Sequence, residues 1–202
     1  MSVNVAVEGR SDEGMAAALL RSCGLTPWRI IPADGKTRLD PKIPRYARAA
    51  SHEPWVIFRD SDGECPVELR RRLISGAAES EQFVLRIACT MTEAWLMGDP
   101  EAFRRYFHVE ADAVPARPEE LAHAKRALLD LVHRSRNRAI REEMLDEKNP
   151  HGAGVLYVDH LNTFARTEWD PTVAAERCPS LERARRALNE LAAHTRCDVW
   201  QG

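Results

Sequence analysis

Three carboxylates stand where two hydrophobic segments of the chain end. Glu8 directly follows the apolar run 3–7. Asp60 and Asp62 lie at the end of the strongest apolar run, in the sequence VIFRDSDG. Side chains two residues apart in an extended segment point the same way, so Asp60 and Asp62 are expected to converge on one point. If both runs are strands of one parallel sheet, the three carboxylates lie beyond its carboxyl edge, where such sheets bind ligands.

Carboxylates gathered at one point repel one another unless a cation neutralises them. Hard oxygen ligands suit Mg²⁺ or Mn²⁺, with coordination positions left for water and phosphate oxygens. The sequence therefore predicts a divalent-metal site formed by Glu8, Asp60 and Asp62. The alternative is a polar turn at 60–63 and a Glu8 that only caps the next helix.

Two further acidic positions need an interpretation. Glu93 follows the next predicted strand and is a candidate catalytic residue that would hold a second metal ion or orient water. The alternative is that Glu93 is an exposed helix residue. Asp12 is expected to favour the positive end of the first helix rather than to bind metal.

Strand and helix signals alternate through the first hundred residues. Short runs rich in β-branched residues predict strands at 3–7, 28–32, 54–60 and 83–88, with helices between them. This alternation predicts an α/β fold with a mostly parallel, Rossmann-like four-stranded sheet and helices on both faces.

The second half of the chain has a different pattern. Residues 101–202 are expected to form a helical C-terminal extension packed on the α/β domain of residues 1–100. The segment 151–169 is compatible with helix or strand, and helix is favoured. Four large aromatic residues are expected to fill the core: Trp28, Trp55, Trp95 and Phe103.

The context of the three carboxylates resembles a known family. VEGRSDE before an apolar helix, and DSDG after a later hydrophobic strand, resemble the Toprim domain of topoisomerases, primases and related nucleases. That family places a Glu after its first strand and a DxD after its third, positions matched here by Glu8, Asp60 and Asp62. The resemblance covers about residues 3–90 and is closest to the overcoming-lysogenization-defect (OLD) nucleases and their small relatives in bacterial mobile and defence loci. It implies a Toprim-like fold and Mg²⁺- or Mn²⁺-dependent hydrolysis of phosphodiester bonds in DNA or RNA.

Later segments resemble a stand-alone Toprim-like family, which in turn resembles proteins found beside ATPase partners. They are RIACTMTEAWLMGD and CPSLERARRALNEL. Since the chain has no GxxxxGK[ST] motif, any nucleotide-driven regulation is expected from a partner ATPase. This resemblance implies an effector of an anti-phage or mobile-element system.

Two other functions stay open. One is a non-catalytic regulatory subunit that keeps the fold and binds an ATPase or a nucleic acid. The other is a haloacid-dehalogenase-like phosphatase, because VIFRDSDG resembles that family's strand followed by DxDG. Glu64 stands where that family has Thr or Val.

The charge and the cysteine content indicate which partners and which cellular compartment to expect. The formal net charge is −2, so nucleic-acid binding must come from local clusters, such as the arginines at 70–72 or in the run 134–141. Either cluster could instead be a solvated helix face, and Lys125 or Lys148 could also neutralise a phosphate. The five scattered cysteines form no CxxC pair, and no apolar run approaches a membrane span. A cytoplasmic protein without a signal peptide is expected.

Overall fold

A four-stranded parallel sheet lies at the centre of the computed structural model, which describes residues 1–77 and 80–198. The strands are β1 (Ser2–Val7), β2 (Thr26–Pro32), β3 (Trp55–Asp60) and β4 (Phe83–Ala88). Their order in the sheet is β2-β1-β3-β4, and each neighbouring pair is parallel. The predicted parallel sheet is confirmed. Within it, β1 and β3 are neighbours, which brings Glu8 near Asp60.

Helices connect the strands and make up most of the second half of the chain. Those before β4 are α1 (Glu13–Ser22), α2 (Lys36–Leu39), α3 (Ile43–Ala49) and α4 (Pro66–Leu73). Those after it are α5 (Thr92–Met97), α6 (Pro100–Phe107), α7 (Ala124–His133), α8 (Arg138–Met144), α9 (Tyr157–Thr167), α10 (Pro171–Ala175) and α11 (Pro179–Asp198). A short antiparallel ribbon of β5 (Leu145–Asp146) and β6 (Asn149–Ala153) precedes α9. None of the helices within the described residues has the length and apolar character needed to cross a membrane.

The two faces of the sheet support separate hydrophobic cores, because successive strand residues point to opposite faces. On one face, Ala6 and Ile57 pack with residues of α2, α3 and α4. On the other face, Val5 and Phe58 belong to a larger core that includes residues of α1 and of every helix after β4. The C-terminal helices therefore share a core with the sheet, while a domain boundary at residue 100 stays a prediction.

Close packing of α1 on α9 fixes the segment that carries Glu8 and Asp12. A Cβ atom on Gly14 would lie 2.6 Å from backbone atoms of Asn162, so only glycine fits at this contact. The Gly14 backbone N–H donates to the Asn162 side-chain oxygen, and the Asn162 amide donates to the Arg10 carbonyl at 3.0 Å. The C-terminal half thereby holds the loop after β1 in place.

Three of the four aromatic residues expected in the core are there. Trp55, Trp95 and Phe103 are buried, whereas Trp28 is 76% exposed, so the prediction for Trp28 is wrong. Trp28 lies on β2, which is an edge strand of the sheet and is largely uncovered.

Candidate active site at the carboxyl edge of the sheet

Glu8 lies directly after β1, against the end of β3. The Glu8 carboxylate accepts a hydrogen bond from the backbone N–H of Asp60. Its Oε2 lies 3.3 Å from Arg59 Nη1. This contact is an ion pair without hydrogen-bond geometry, since Oε2 is a buried atom that makes no hydrogen bond. Burial raises the pKa of Glu8, and although Arg59 opposes the shift, Asp62 adds to it.

Arg59 is the buried cation of this edge, and it is a site residue that the sequence pattern did not predict. It is 1% exposed and points away from Asp60, because neighbouring strand residues alternate in direction. Its Nε and Nη2 donate to the two Asp40 oxygens at 2.8 and 3.2 Å. Its Nη1 donates to the Asp60 carbonyl and, at 3.2 Å, to Asp62 Oδ2. The available signal was an arginine inside an otherwise apolar strand, directly before the first aspartate.

Asp62 departs from the extended path that the DxD spacing suggested. The strand β3 ends at Asp60, and positive φ angles of 49° at Asp62 and 83° at Gly63 turn the chain. Asp62 Oδ2 accepts from Lys36 Nζ at 2.8 Å as well as from Arg59. The expectation that Asp60 and Asp62 point the same way is therefore wrong, because the turn begins immediately after Asp60.

Asp60 instead faces a group of carboxylates on the side of the larger core. Its Oδ1 accepts from the backbone N–H of Thr92, the first residue of α5, at 3.0 Å. The Thr92 hydroxyl donates to Asp12 Oδ1 at 2.6 Å, and the Gly9 backbone N–H donates to Asp12 Oδ2 at 2.8 Å. Thr92 thus joins Asp60 to Asp12. Asp12 is a buried member of this site, not a residue that only favours the end of the first helix.

Glu93 completes the group from the first turn of α5. It is 5% exposed, so its interpretation as an exposed helix residue is wrong. Its Oε1 accepts from the Tyr157 hydroxyl at 2.9 Å. Lys125 Nζ lies 4.8 Å from the centre of the Tyr157 ring. Of the two lysines considered from the sequence, Lys125 therefore lies beside this group, whereas Lys148 lies between the two strands of the ribbon.

Asp12, Asp60 and Glu93 are called the acidic cluster below. Among the described residues, no Lys, Arg or His forms an ion pair with any of the three. Burial raises the pKa of Asp60 well above its ordinary value, and Asp12, Glu93 and Glu8 add to that shift. Burial and the nearby Glu93 also raise the pKa of Asp12 to about 7. These carboxylates cannot all ionise at low cost without a cation among them.

The acidic residues at this edge have the type of ligand atom that a divalent metal binds. Their carboxylate oxygens are the ligands that Mg²⁺ and Mn²⁺ take, and Glu8 Oε2 is buried without a hydrogen bond. As the side chains lie, however, no group of three or more His, Cys, Asp or Glu within residues 1–77 and 80–198 is arranged to hold a metal ion. Arg59 pairs with Glu8 and Asp62, whereas Asp60 is joined to Asp12 through Thr92. The metal set of Glu8, Asp60 and Asp62 stays a prediction.

Asp12 makes the stability of the metal-free protein depend on pH. Its pKa is raised from 3.8 to about 7, so between these values the folded state keeps a proton that the unfolded state has released. Its contribution is therefore complete below pH 3.8 and is lost as the pH rises through about 7. In EDTA, we expect wild-type stability to fall between about pH 5 and pH 7.5, and the fall to be about 2 kcal/mol smaller in Asp12→Asn.

Urea unfolding at the two pH values measures this difference. The exposed Asp159, in the first turn of α9, provides the matched control variant Asp159→Asn. An equal fall in stability for Asp12→Asn and wild type would contradict the raised pKa of Asp12.

Comparison with known proteins gives one distant structural likeness. Neither the protein-family models nor the curated proteins match the chain. Among solved structures, the C-terminal region of the OLD protein of Xanthomonas campestris pv. campestris is similar, with a TM-score of 0.44 and 16% identity. The match covers 96% of this chain and 97% of that one. So distant a likeness assigns no activity to this chain.

Proposed function

We propose that this chain is a metal-dependent nuclease that hydrolyses phosphodiester bonds in DNA or RNA. The acidic cluster, together with Glu8, supports this function. Four carboxylates lie at the carboxyl edge of a parallel sheet, where such sheets bind ligands. Burial raises the pKa of Asp60, and Asp12, Glu93 and Glu8 add to that shift. A fold that only needed polar turns here would not gain from carboxylates that repel one another at the edge of its core.

Mg²⁺ or Mn²⁺ is the cofactor that this set of oxygen ligands suits. Glu8, Asp60 and Asp62 would hold it, with Glu93 as an outlying contributor. When bound, the metal would polarise a phosphate oxygen and lower the pKa of a water molecule, which provides a nucleophile near neutral pH.

The residues of the chain supply proton transfer and positive charge. Asp12, with a pKa of about 7, is suited to take up and release a proton near neutral pH, and the Thr92 hydroxyl orients its carboxylate. Glu8 could serve either as a metal ligand or as the general base. Lys36 is half exposed beside Asp62 and is suited to attract an incoming phosphate.

Cleavage assays test the proposal directly. Plasmid DNA and structured RNA are incubated with the protein in Mg²⁺, in Mn²⁺ and in EDTA. We expect cleavage of at least one substrate with metal and none in EDTA, and a loss of cleavage in Glu8→Gln. The exposed Asp112→Asn provides the control variant and should cleave like wild type.

A non-catalytic regulatory subunit is the second candidate, and one observation favours it. Arg59 and Lys36 already neutralise Glu8 and Asp62, as a site that no longer binds metal would require. The resemblance to defence-associated families supports pairing with an ATPase under either function. If neither the protein alone nor the protein with an ATPase encoded beside it cleaves DNA or RNA, the regulatory function replaces the nuclease.

A further inference from the structure

A groove runs along the outer side of β4, the edge strand at the opposite end of the sheet from β2. One part has a volume of about 700 Å³ and lies between α4, β4 and the first half of α11. A second part, of about 320 Å³, continues along β4 toward its amino end. The two parts share Arg70, Leu85 and Arg86 in their walls, so they form one continuous depression.

Arginines dominate the larger part of the groove, which is called the basic groove below. Arg70 and Arg71 come from α4, Arg86 from β4 and Arg183 from α11, and no Asp or Glu among the described residues lines this part. Three separate elements thus direct guanidinium groups into one depression. This pattern differs from a solvated helix face, where charges on a single helix point outward into water.

Arg86 lies where the two parts of the groove meet. Its Nε is a buried atom that makes no hydrogen bond. Burial lowers the pKa of Arg86, and the nearby positive charges of Arg70, Arg183 and Arg186 add to that shift. Glu190 acts in the opposite direction. A half-buried guanidinium beside several like charges is stabilised when an anion enters.

The distribution of charge along the groove is uneven, and its more positive end is the end nearer the candidate active site. Its smaller part includes Glu81 and Glu190, which make that end less attractive to an anion. The basic groove instead reaches Cys89, the residue directly after β4. Thr92, whose backbone N–H donates to Asp60, follows three residues later. Positive charge therefore increases toward the carboxyl edge of the sheet.

We propose that the basic groove binds the phosphate backbone of a nucleic-acid strand and leads it toward the acidic cluster. This inference rests on the proposed nuclease function and names how that site would hold its substrate. A strand fits better than a single phosphate, because the six residues of β4 extend about 20 Å and the arginines lie on both walls. Since the net charge of the chain is −2, such a local cluster is needed to hold a polyanion.

Binding is measured in EDTA, so that no cleavage is required for the result. The probe is a fluorescently labelled single-stranded DNA of about 20 nucleotides, followed by anisotropy. Arg71 and Arg183 are both exposed and come from opposite walls of the groove, so the test variant is Arg71→Gln/Arg183→Gln. The control, Arg104→Gln/Arg166→Gln, removes two exposed arginines that do not line the groove and changes the net charge equally.

We expect about tenfold weaker binding in the groove variant at low salt and little change in the control. The slope of log affinity against log salt concentration should fall by about 1.4, as for the loss of two phosphate contacts on a single strand. Arg86→Lys, which keeps the charge but not the planar guanidinium, should weaken binding less than Arg86→Gln. Circular dichroism melting checks that each variant is folded.

Several results would overturn the inference. Equal weakening in both double variants would mean that net charge alone attracts the DNA. Millimolar inorganic phosphate that displaces the DNA fully, with equal affinity for 6- and 20-nucleotide probes, would indicate a small-anion site. The experiments can reject the two proposals separately. If the groove variant weakens DNA binding but no cleavage is found, this inference stands without the nuclease function. If the protein cleaves nucleic acid but the groove variant binds DNA like wild type, this inference is wrong.

Discussion

Asp60→Asn is expected to lose cleavage and to unfold at a higher temperature than wild type when metal is absent. Burial raises the pKa of Asp60 well above its ordinary value, and the charges of Asp12, Glu93 and Glu8 add to that shift. The amide removes that repulsion and its oxygen can still accept the Thr92 backbone N–H. The free energy of unfolding in EDTA should rise on the order of 1–2 kcal/mol at pH 7.5.

Cleavage by Asp60→Asn should fall by more than about a hundredfold. Replacing a residue that only supports a metal ligand lowers the activity of a metal enzyme by up to about a hundredfold. Asp60 is proposed to bind the metal itself, so its loss should cost more. Asp112→Asn, an exposed variant with the same change in charge, should match wild type in both measurements. An Asp60→Asn protein that is less stable in EDTA than wild type would mean that the carboxylate stabilises the fold, as a polar turn would.

Replacing Arg59 should cause the largest loss of stability of any substitution at this edge. Arg59→Met leaves Asp40, Asp62 and Glu8 without their shared cation. Breaking a buried ion pair from one side typically costs about 3–5 kcal/mol, and the partly exposed carboxylates place the expected loss near the lower value, about 3 kcal/mol. Arg59→Lys keeps the charge but cannot donate to both Asp40 oxygens and reach Asp62, so its loss should be intermediate.

Urea unfolding measures these losses against a matched exposed pair. Arg38 pairs with Asp34 on the surface, and Arg38→Met should change stability by no more than about 1 kcal/mol. If Arg59→Met has the same free energy of unfolding as wild type, the Arg59 guanidinium does not stabilise the folded protein by pairing with the carboxylates around it.

The sequence predicted the sheet well because its signals are local. Each strand is a short apolar run, and strands that alternate with helices specify a parallel sheet. The adjacency of β1 and β3, which the structure shows, then places Glu8 beside the end of β3. Trp28 was placed wrongly because an apolar side chain on an edge strand has the same local pattern as one on a central strand.

The details of the site were harder to predict because they depend on contacts distant in sequence. Asp12 joins Asp60 through Thr92, which lies 80 residues away along the chain from Asp12. Tyr157, which donates to Glu93, lies 64 residues from it. The spacing of Asp60 and Asp62 suggested one direction for both, but a left-handed residue at position 62 separates them. The role of Arg59 also depends on a distant contact, because Asp40, which accepts from its guanidinium, lies 19 residues away along the chain.

Titration with Mn²⁺ tests the central claim most directly, because metal binding is required whichever nucleic acid is cut. Isothermal calorimetry compares wild type, Asp60→Ala and the exposed control Asp112→Asn at pH 7.5. We predict that wild type and the control bind Mn²⁺ with equal affinity and release protons on binding, and that Asp60→Ala loses the binding. Unchanged Mn²⁺ affinity in Asp60→Ala, or no binding by wild type, would contradict the metal site at the carboxyl edge of the sheet.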